Sequence, residues 1–150
     1  LNHQAEAQLF ANVLLSPLLY ALSLQNFTSN EKNPPIHWVP IPHWHHKRQT
    51  NRFLTQALQE LLGGEVHDCL IDLSSTPQKI RSRKQRKNRQ FEVLTTTQPF
   101  EGLVILVDDV ITTGNTLSAA ASAVRRLSPH SKILGLTFFS RETSSVDNIR

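Results

Sequence analysis

The chain of 150 residues contains no methionine and a single cysteine, Cys69. One thiol excludes an internal disulfide and any cysteine cluster for zinc, and it suits a reducing cytoplasm. Apolar runs long enough to span a bilayer are also missing, so no membrane span is expected. The opening L-N-H-Q-A-E lacks the basic-then-apolar form of a signal peptide, and a chain that starts on Leu1 without methionine reads as a processed or truncated product. A length of 150 residues leads to the expectation of one domain over 1–150 with a real core.

Acidic residues are absent from one stretch in particular. Lys79, Arg81, Arg83, Lys84, Arg86, Lys87 and Arg89 follow one another without an intervening acid. The formal net charge is +4, and setting those seven aside leaves the rest of the chain at −3. The positive field is therefore local, and what it meets is anionic. Wound as a helix, the six basic residues from Arg81 to Arg89 surround the whole cylinder and leave no apolar face, so the segment is either mobile or held when an anion arrives.

What is present centres on Leu103 to Leu117, L-V-I-L-V-D-D-V-I-T-T-G-N-T-L. Five apolar residues without alternation, Leu103 to Val107, predict a strand buried on both faces of a parallel sheet. The acidic pair Asp108 and Asp109 follows at once, then the polar turn Thr112-Thr113-Gly114-Asn115-Thr116. Leu117, Ala120, Ala121, Val124 and Leu127 recur at helical spacing behind it. A loop that enters a helix beyond a strand's carboxyl end holds phosphate through free amides and the helix dipole. Gly114 lets the backbone come close, and the threonine hydroxyls donate to phosphate oxygens. No lysine follows Gly114, which excludes the nucleoside-triphosphate loop G-x-x-x-x-G-K-[ST]. Carboxylates repel phosphate, so the pair suits sugar hydroxyls or water-held Mg²⁺. The implied ligand is a phosphorylated sugar.

V-I-L-V-D-D-V-I-T-T-G-N-T-L resembles the signature of the type I phosphoribosyltransferases, which bind 5-phosphoribosyl 1-pyrophosphate (PRPP). The resemblance implies that Asp108 and Asp109 contact the ribose hydroxyls. Thr112, Thr113, Gly114, Asn115 and Thr116 would wrap the 5-phosphate, with Val110 and Ile111 counted in the same ribose- and phosphate-binding set. Mg²⁺ would be held through PRPP and water, with no direct protein ligand. A second match, Val39-Pro40-Ile41-Pro42, then Thr76-Pro77-Gln78, Arg86, Asn88 and Phe91, resembles the ComF-type competence proteins, which are needed for uptake of transforming DNA. Together the matches cover about residues 36 to 140. This chain departs from the family in lacking the four-cysteine zinc module, and in reading Asn51-Arg52-Phe53-Leu54-Thr55-Gln56 where R-G-F-N-Q is usual.

The resemblance places pyrophosphate at the loop after V-P-I-P, which makes Lys47, Arg48 and Arg52 its candidates. Arg83, Lys84 and Arg86 are candidates for a lid that excludes water. Their alternative is a solvated charged face. A reading of another class keeps the fold as a non-catalytic module, in which segment 79–89 binds single-stranded DNA or a protein of the competence machinery. Only Phe91 stands near that run for stacking. Trp38 and Trp44 are close in sequence to the pyrophosphate loop, and Trp38 is read as core.

The remaining elements are a helical region over 1–24, whose Leu9, Val13, Leu14, Leu18, Ala21 and Leu22 form an apolar face, and a strand over 36–41. A helix runs from about Thr50, with Phe53, Leu54, Ala57, Leu58, Leu61 and Leu62 on its apolar side, to Gly63-Gly64. Strands follow over 66–73, 91–94 and 132–139, and the tail 141–150 is frayed. Leu14, Leu15, Leu18, Leu19 and Tyr20 are either core, the preferred reading, or the surface of a homodimer. His43, His45 and His46 invite a metal, but a solvated loop is preferred because no carboxylate stands near them in sequence. The units add up to an α/β fold, a parallel sheet flanked by helices.

Overall fold

Leu103 to Val107 lies at the centre of a four-stranded parallel sheet in the computed structural model, which describes residues 34–42, 49–73, 89–111 and 114–140 together with Ala5, Leu9 and Val13. Strand β1 (Ile36–Pro40) leads into helix α1 (Thr50–Leu62) and short strand β2 (Glu65–Val66). Strand β5 (Leu103–Ile111) leads through helix α2 (Asn115–Leu127) to β6 (Lys132–Ser140). The sheet order is β2-β1-β5-β6, every pairing parallel.

The unbroken apolar run is explained by what covers it. Leu103, Ile105 and Val107 pack with Trp38, Leu54, Ala57 and Leu58 of β1 and α1. Val104 and Leu106 pack with Val39, Ile41, Ala120, Ala123 and Val124, on the α2 side. With a strand period of two, helices on both faces require an apolar residue at every position. Each such side chain contributes about 1.5–3 kcal/mol relative to exposure, which makes β5 the costliest strand to disturb. Trp38 is core, as expected, and its indole donates to Gly63 O at 2.8 Å. Gly63 ends α1 with a φ of 74° and donates its amide to Gln59 O.

Four expectations need correction. The strand expected over 66–73 is two elements: β2 in the parallel sheet and β3 (Leu70–Asp72), which pairs antiparallel with β4 (Phe91–Val93) in a separate two-stranded sheet. The polar His67-Asp68 separates them: the His67 amide still donates to Trp38 O of β1 at 2.8 Å, and pairing with β1 ends there. The strand expected over 91–94 therefore belongs to a hairpin outside the parallel sheet. On α1 the buried line holds the polar Asn51 and Thr55 beside Leu54, Ala57 and Leu58, while Leu61 is exposed. At the amino end Leu9 and Val13 are helical but exposed, so the apolar face expected there does not include them as core. The rest of the region 1–24 and the tail 141–150 lie outside the described residues.

Candidate functional site

Strand β5 outlasts its neighbour. The register with β1 ends at Pro40 opposite Val107, and Ile41 donates one more bond to Val107 O. Pairing with β6 continues through Ile111 opposite Ser140. The acidic pair thus lies inside the strand, on its free carboxyl-terminal portion, and not in a turn after it. Open sheets of this kind receive ligands at such an edge.

The two carboxylates differ. Asp108 is buried and Asp109 is half-exposed. Asp108 Oδ1 accepts from Asn51 Nδ2 at 3.2 Å and from the Asp109 amide at 3.1 Å. Burial pushes the Asp108 carboxyl above its ordinary range; the Asn51 bond opposes this, the Asp109 charge adds to it, and Arg89 opposes it. A buried carboxylate under that strain gains from a cation or from hydroxyl donors.

Behind the pair, Gly114 takes a left-handed conformation, φ 72° and ψ −4°, and caps α2. A Cβ there would meet nothing closer than Ile111 Cδ1 at 3.8 Å, so conformation and not space calls for glycine. Among the described residues no side chain caps the helix, and its first turn carries no acid. Its leading amides are therefore without a side-chain cap for an anion. Val110 and Asn115 are exposed, and Ile111, Gly114 and Thr116 are half-buried around this end. Thr112 and Thr113 lie outside the described residues.

The first turn of α1 comes to the same edge. Asn51 Nδ2 also donates to Ile41 O at 2.8 Å, so one buried amide ties the end of β1 to Asp108. Arg52, a predicted pyrophosphate residue, pairs with Asp68 at 3.1 Å, both half-exposed. Lys47, Arg48, Arg83, Lys84 and Arg86, with His43, Trp44, His45 and His46, lie outside the described residues. Arg89, the last cation of the basic run, is described. It bonds Asp72 at 2.6 Å, reaches Pro42 O at 3.4 Å and stands 5.2 Å from the Phe91 ring centroid. Its bonds to Asp72 and Pro42 O anchor this end of the basic run, and its charge favours the ionised form of Asp108.

Asn51 and Arg89 are the residues that sequence reasoning passed over. Asn51 was visible only as a misfit in the R-G-F-N-Q match, and Arg89 only as one of seven cations. Cys69 is no nucleophile: it is buried, and burial pushes its thiol up to about 11. A cavity of about 360 Å³ between the β3–β4 hairpin and α2 is lined by Arg89, Phe91, Ser122 and Arg126 among others. At the opposite end of the sheet, His37, Glu65 and His67 bring their ligand atoms within 4.8 Å of one another, a set able to hold a metal.

No family model matches the chain, and no curated protein does. Solved structures match its fold. Hypoxanthine phosphoribosyltransferase from Trypanosoma cruzi superposes with a TM-score of 0.56 at 13% identity, over 98% of this chain and 71% of the other. A hypoxanthine phosphoribosyltransferase from Staphylococcus aureus gives 0.51 at 14% identity, over 98% and 70%. Adenine phosphoribosyltransferase from Saccharomyces cerevisiae gives 0.47 at 17% identity, over 81% and 64%, so the chain spans slightly under two thirds of that protein's length. The chain has the type I phosphoribosyltransferase fold. Among the described residues no helix is long and apolar enough to cross a membrane.

Proposed function

We propose that this chain binds PRPP with Mg²⁺ at the carboxyl edge of β5, as a cytoplasmic phosphoribosyltransferase-like protein of the ComF type, linked to DNA uptake in natural transformation. The observation that carries the reading is the pairing of a buried carboxylate, Asp108, with the glycine-led, acid-free start of α2 a few residues further on. The 5-phosphate meets the amides after Ile111, and the ribose hydroxyls donate to Asp108 and Asp109. Asn51 holds Asp108 in place for this. The ComF assignment is supported by V-P-I-P, T-P-Q and the basic run.

The reaction available to such a site is substitution at the anomeric carbon: the bond to pyrophosphate breaks and an acceptor atom bonds in its place. Carboxylate oxygens beside the phosphate cradle are the hard donors that suit Mg²⁺ and its waters, and the ion when bound neutralises charge on the departing pyrophosphate. Lys47, Arg48 and Arg52 share that neutralisation. Arg52 must then exchange Asp68 for the pyrophosphate. Arg83, Lys84 and Arg86 close over the sugar and exclude water, with Arg89 as the fixed end of their segment.

Calorimetry with PRPP and Mg²⁺ tests the site. The wild-type chain binds, and Asp108→Asn with Asp109→Asn loses at least a hundredfold in affinity; unchanged affinity in the double variant rejects the assignment. A salt titration with a single-stranded oligonucleotide tests the non-catalytic alternative. Strong, salt-sensitive binding that disappears on neutralising Arg83, Lys84, Arg86 and Lys87, with no PRPP binding, favours the module.

A further inference from the structure

His37, Glu65 and His67 come from separate places and meet at the amino-terminal end of the sheet. His37 sits in β1 opposite both Glu65 of β2 and Val104 of β5. Val104 precedes Asp108 by four positions, roughly 13 Å along the strand, so the cluster is separate from the acidic pair. His37 Nδ1 faces His67 Nε2 at 3.0 Å, and His67 Nε2 is 3.6 Å from Glu65 Oε2.

The tautomer of His37 follows from its other nitrogen. Nε2 is 2.9 Å from Glu101 O, and a carbonyl can only accept, so Nε2 carries the proton. Nδ1 is then a bare lone pair directed at His67. A backbone carbonyl that orients the far nitrogen is the usual support of a metal-bound imidazole. The Phe100 ring, buried, lies 5.1 Å from the His37 ring and 4.9 Å from the His67 ring, and limits how either can turn. Phe100 is itself held by Ser128 Oγ on its amide at 2.7 Å and Ser131 Oγ on its carbonyl at 2.6 Å.

We infer that His37 Nδ1, His67 Nε2 and Glu65 form a site for a first-row transition metal ion, zinc foremost, separate from the Mg²⁺ that accompanies PRPP. Two nitrogens on one tetrahedral zinc, each about 2.0–2.1 Å from it, stand about 3.3 Å apart, so the observed 3.0 Å needs only a small opening. The ion displaces the hydrogen shared between the rings and sits to one side of the line joining the two nitrogens, so both rings turn slightly to face it, and His67 carries its proton on Nδ1 instead. The exposed Glu65 carboxylate closes the third position, and solvent supplies the fourth. Imidazole pairs select zinc, nickel, cobalt or copper, whereas magnesium and calcium take oxygen donors. The bound ion clamps β1, β2 and the strand-leading turn at Glu101.

Titration of the metal-free chain with zinc, followed by competition against a chromogenic chelator, tests the site, with cobalt absorption as a second readout. The expected result is one equivalent bound, affinity lowered at least tenfold by Glu65→Gln and abolished by His67→Gln. Magnesium should not compete. His43→Gln, His45→Gln and His46→Gln together should leave zinc binding unchanged. Because His67 is half-buried, Glu65→Gln is the variant that keeps the test valid if His67→Gln fails to fold. Absence of stoichiometric binding, binding indifferent to Glu65→Gln, or binding lost in the triple loop variant each overturns the inference.

Discussion

The two ends of one parallel sheet handle buried charge in opposite ways. At the carboxyl edge, burial raises the pKa of Asp108, whose ionised form then gains from cations and hydroxyl donors. At the amino edge, burial lowers the pKa of His67, with His37 adding to the shift and Glu65 opposing it. The same loss of solvation disfavours whichever form is charged. The ligands proposed for the two ends differ accordingly: a hydroxyl-rich anion with its hard cation at one, a nitrogen-seeking metal at the other.

The largest expected effect is on the independence of these ends. Asp108→Asn with Asp109→Asn should remove PRPP binding and leave zinc affinity within twofold, and His67→Gln should do the reverse. Loss of both ligands from either variant would join the two ends into one site and break the comparison.

Asn51→Ala comes next. It removes the bonds to Ile41 O and Asp108 Oδ1 and strands a buried carbonyl, at a cost of about 1–3 kcal/mol. Denaturant unfolding should show that loss, and PRPP affinity should fall about tenfold as Asp108 loses its guide, through one bond to a charged group. Full stability in Asn51→Ala would remove Asn51 from the site.

A smaller effect sharpens the difference in sign. Asp108 has a raised pKa in the folded chain, so its contribution to stability is fully present below the unfolded value and is lost as pH rises through the folded one. Asp108→Asn keeps an oxygen acceptor for Asn51 and removes the charge. Its thermal midpoint at pH 7.5 should lie above wild type, because the charge that the fold disfavours is gone. The gain should shrink as the pH falls toward the unfolded carboxylate range.

The smallest effect belongs to His67. With its folded pKa lowered, the unfolded chain takes up the proton first, so stability falls as pH drops below about 6.5 toward the folded value. His67→Gln should flatten that part of the metal-free stability profile, as urea midpoints between pH 7.5 and 5 would reveal. A profile unchanged by the substitution would mean that His67 titrates alike in both states.

Much of the carboxyl edge was legible beforehand because its parts are neighbours in sequence. Strand run, acidic pair, turn glycine and helix follow within Leu103 to Leu127, and each carries a local signal of period, conformation or capping. Even so, the strand was expected to end before Asp108, because a carboxylate is a poor strand residue by propensity. Pairing with β6 overrode that propensity. The segment 66–73 differs for a related reason: an apolar stretch broken by polar residues shows extended chain but not which sheet each part joins.

Sequence alone determined that Leu103 to Val107 is covered on both faces and that Gly114 starts a helix, since strand period and left-handed backbone are properties of adjacent residues. Tertiary structure alone decided that Asn51 holds Asp108 across 57 positions, that Arg89 is tied to Asp72, and that His37 faces His67 across 30. Those contacts depend on strand register and helix placement, set by the packing of the whole core, and neither side chain of a pair carries the address of the other.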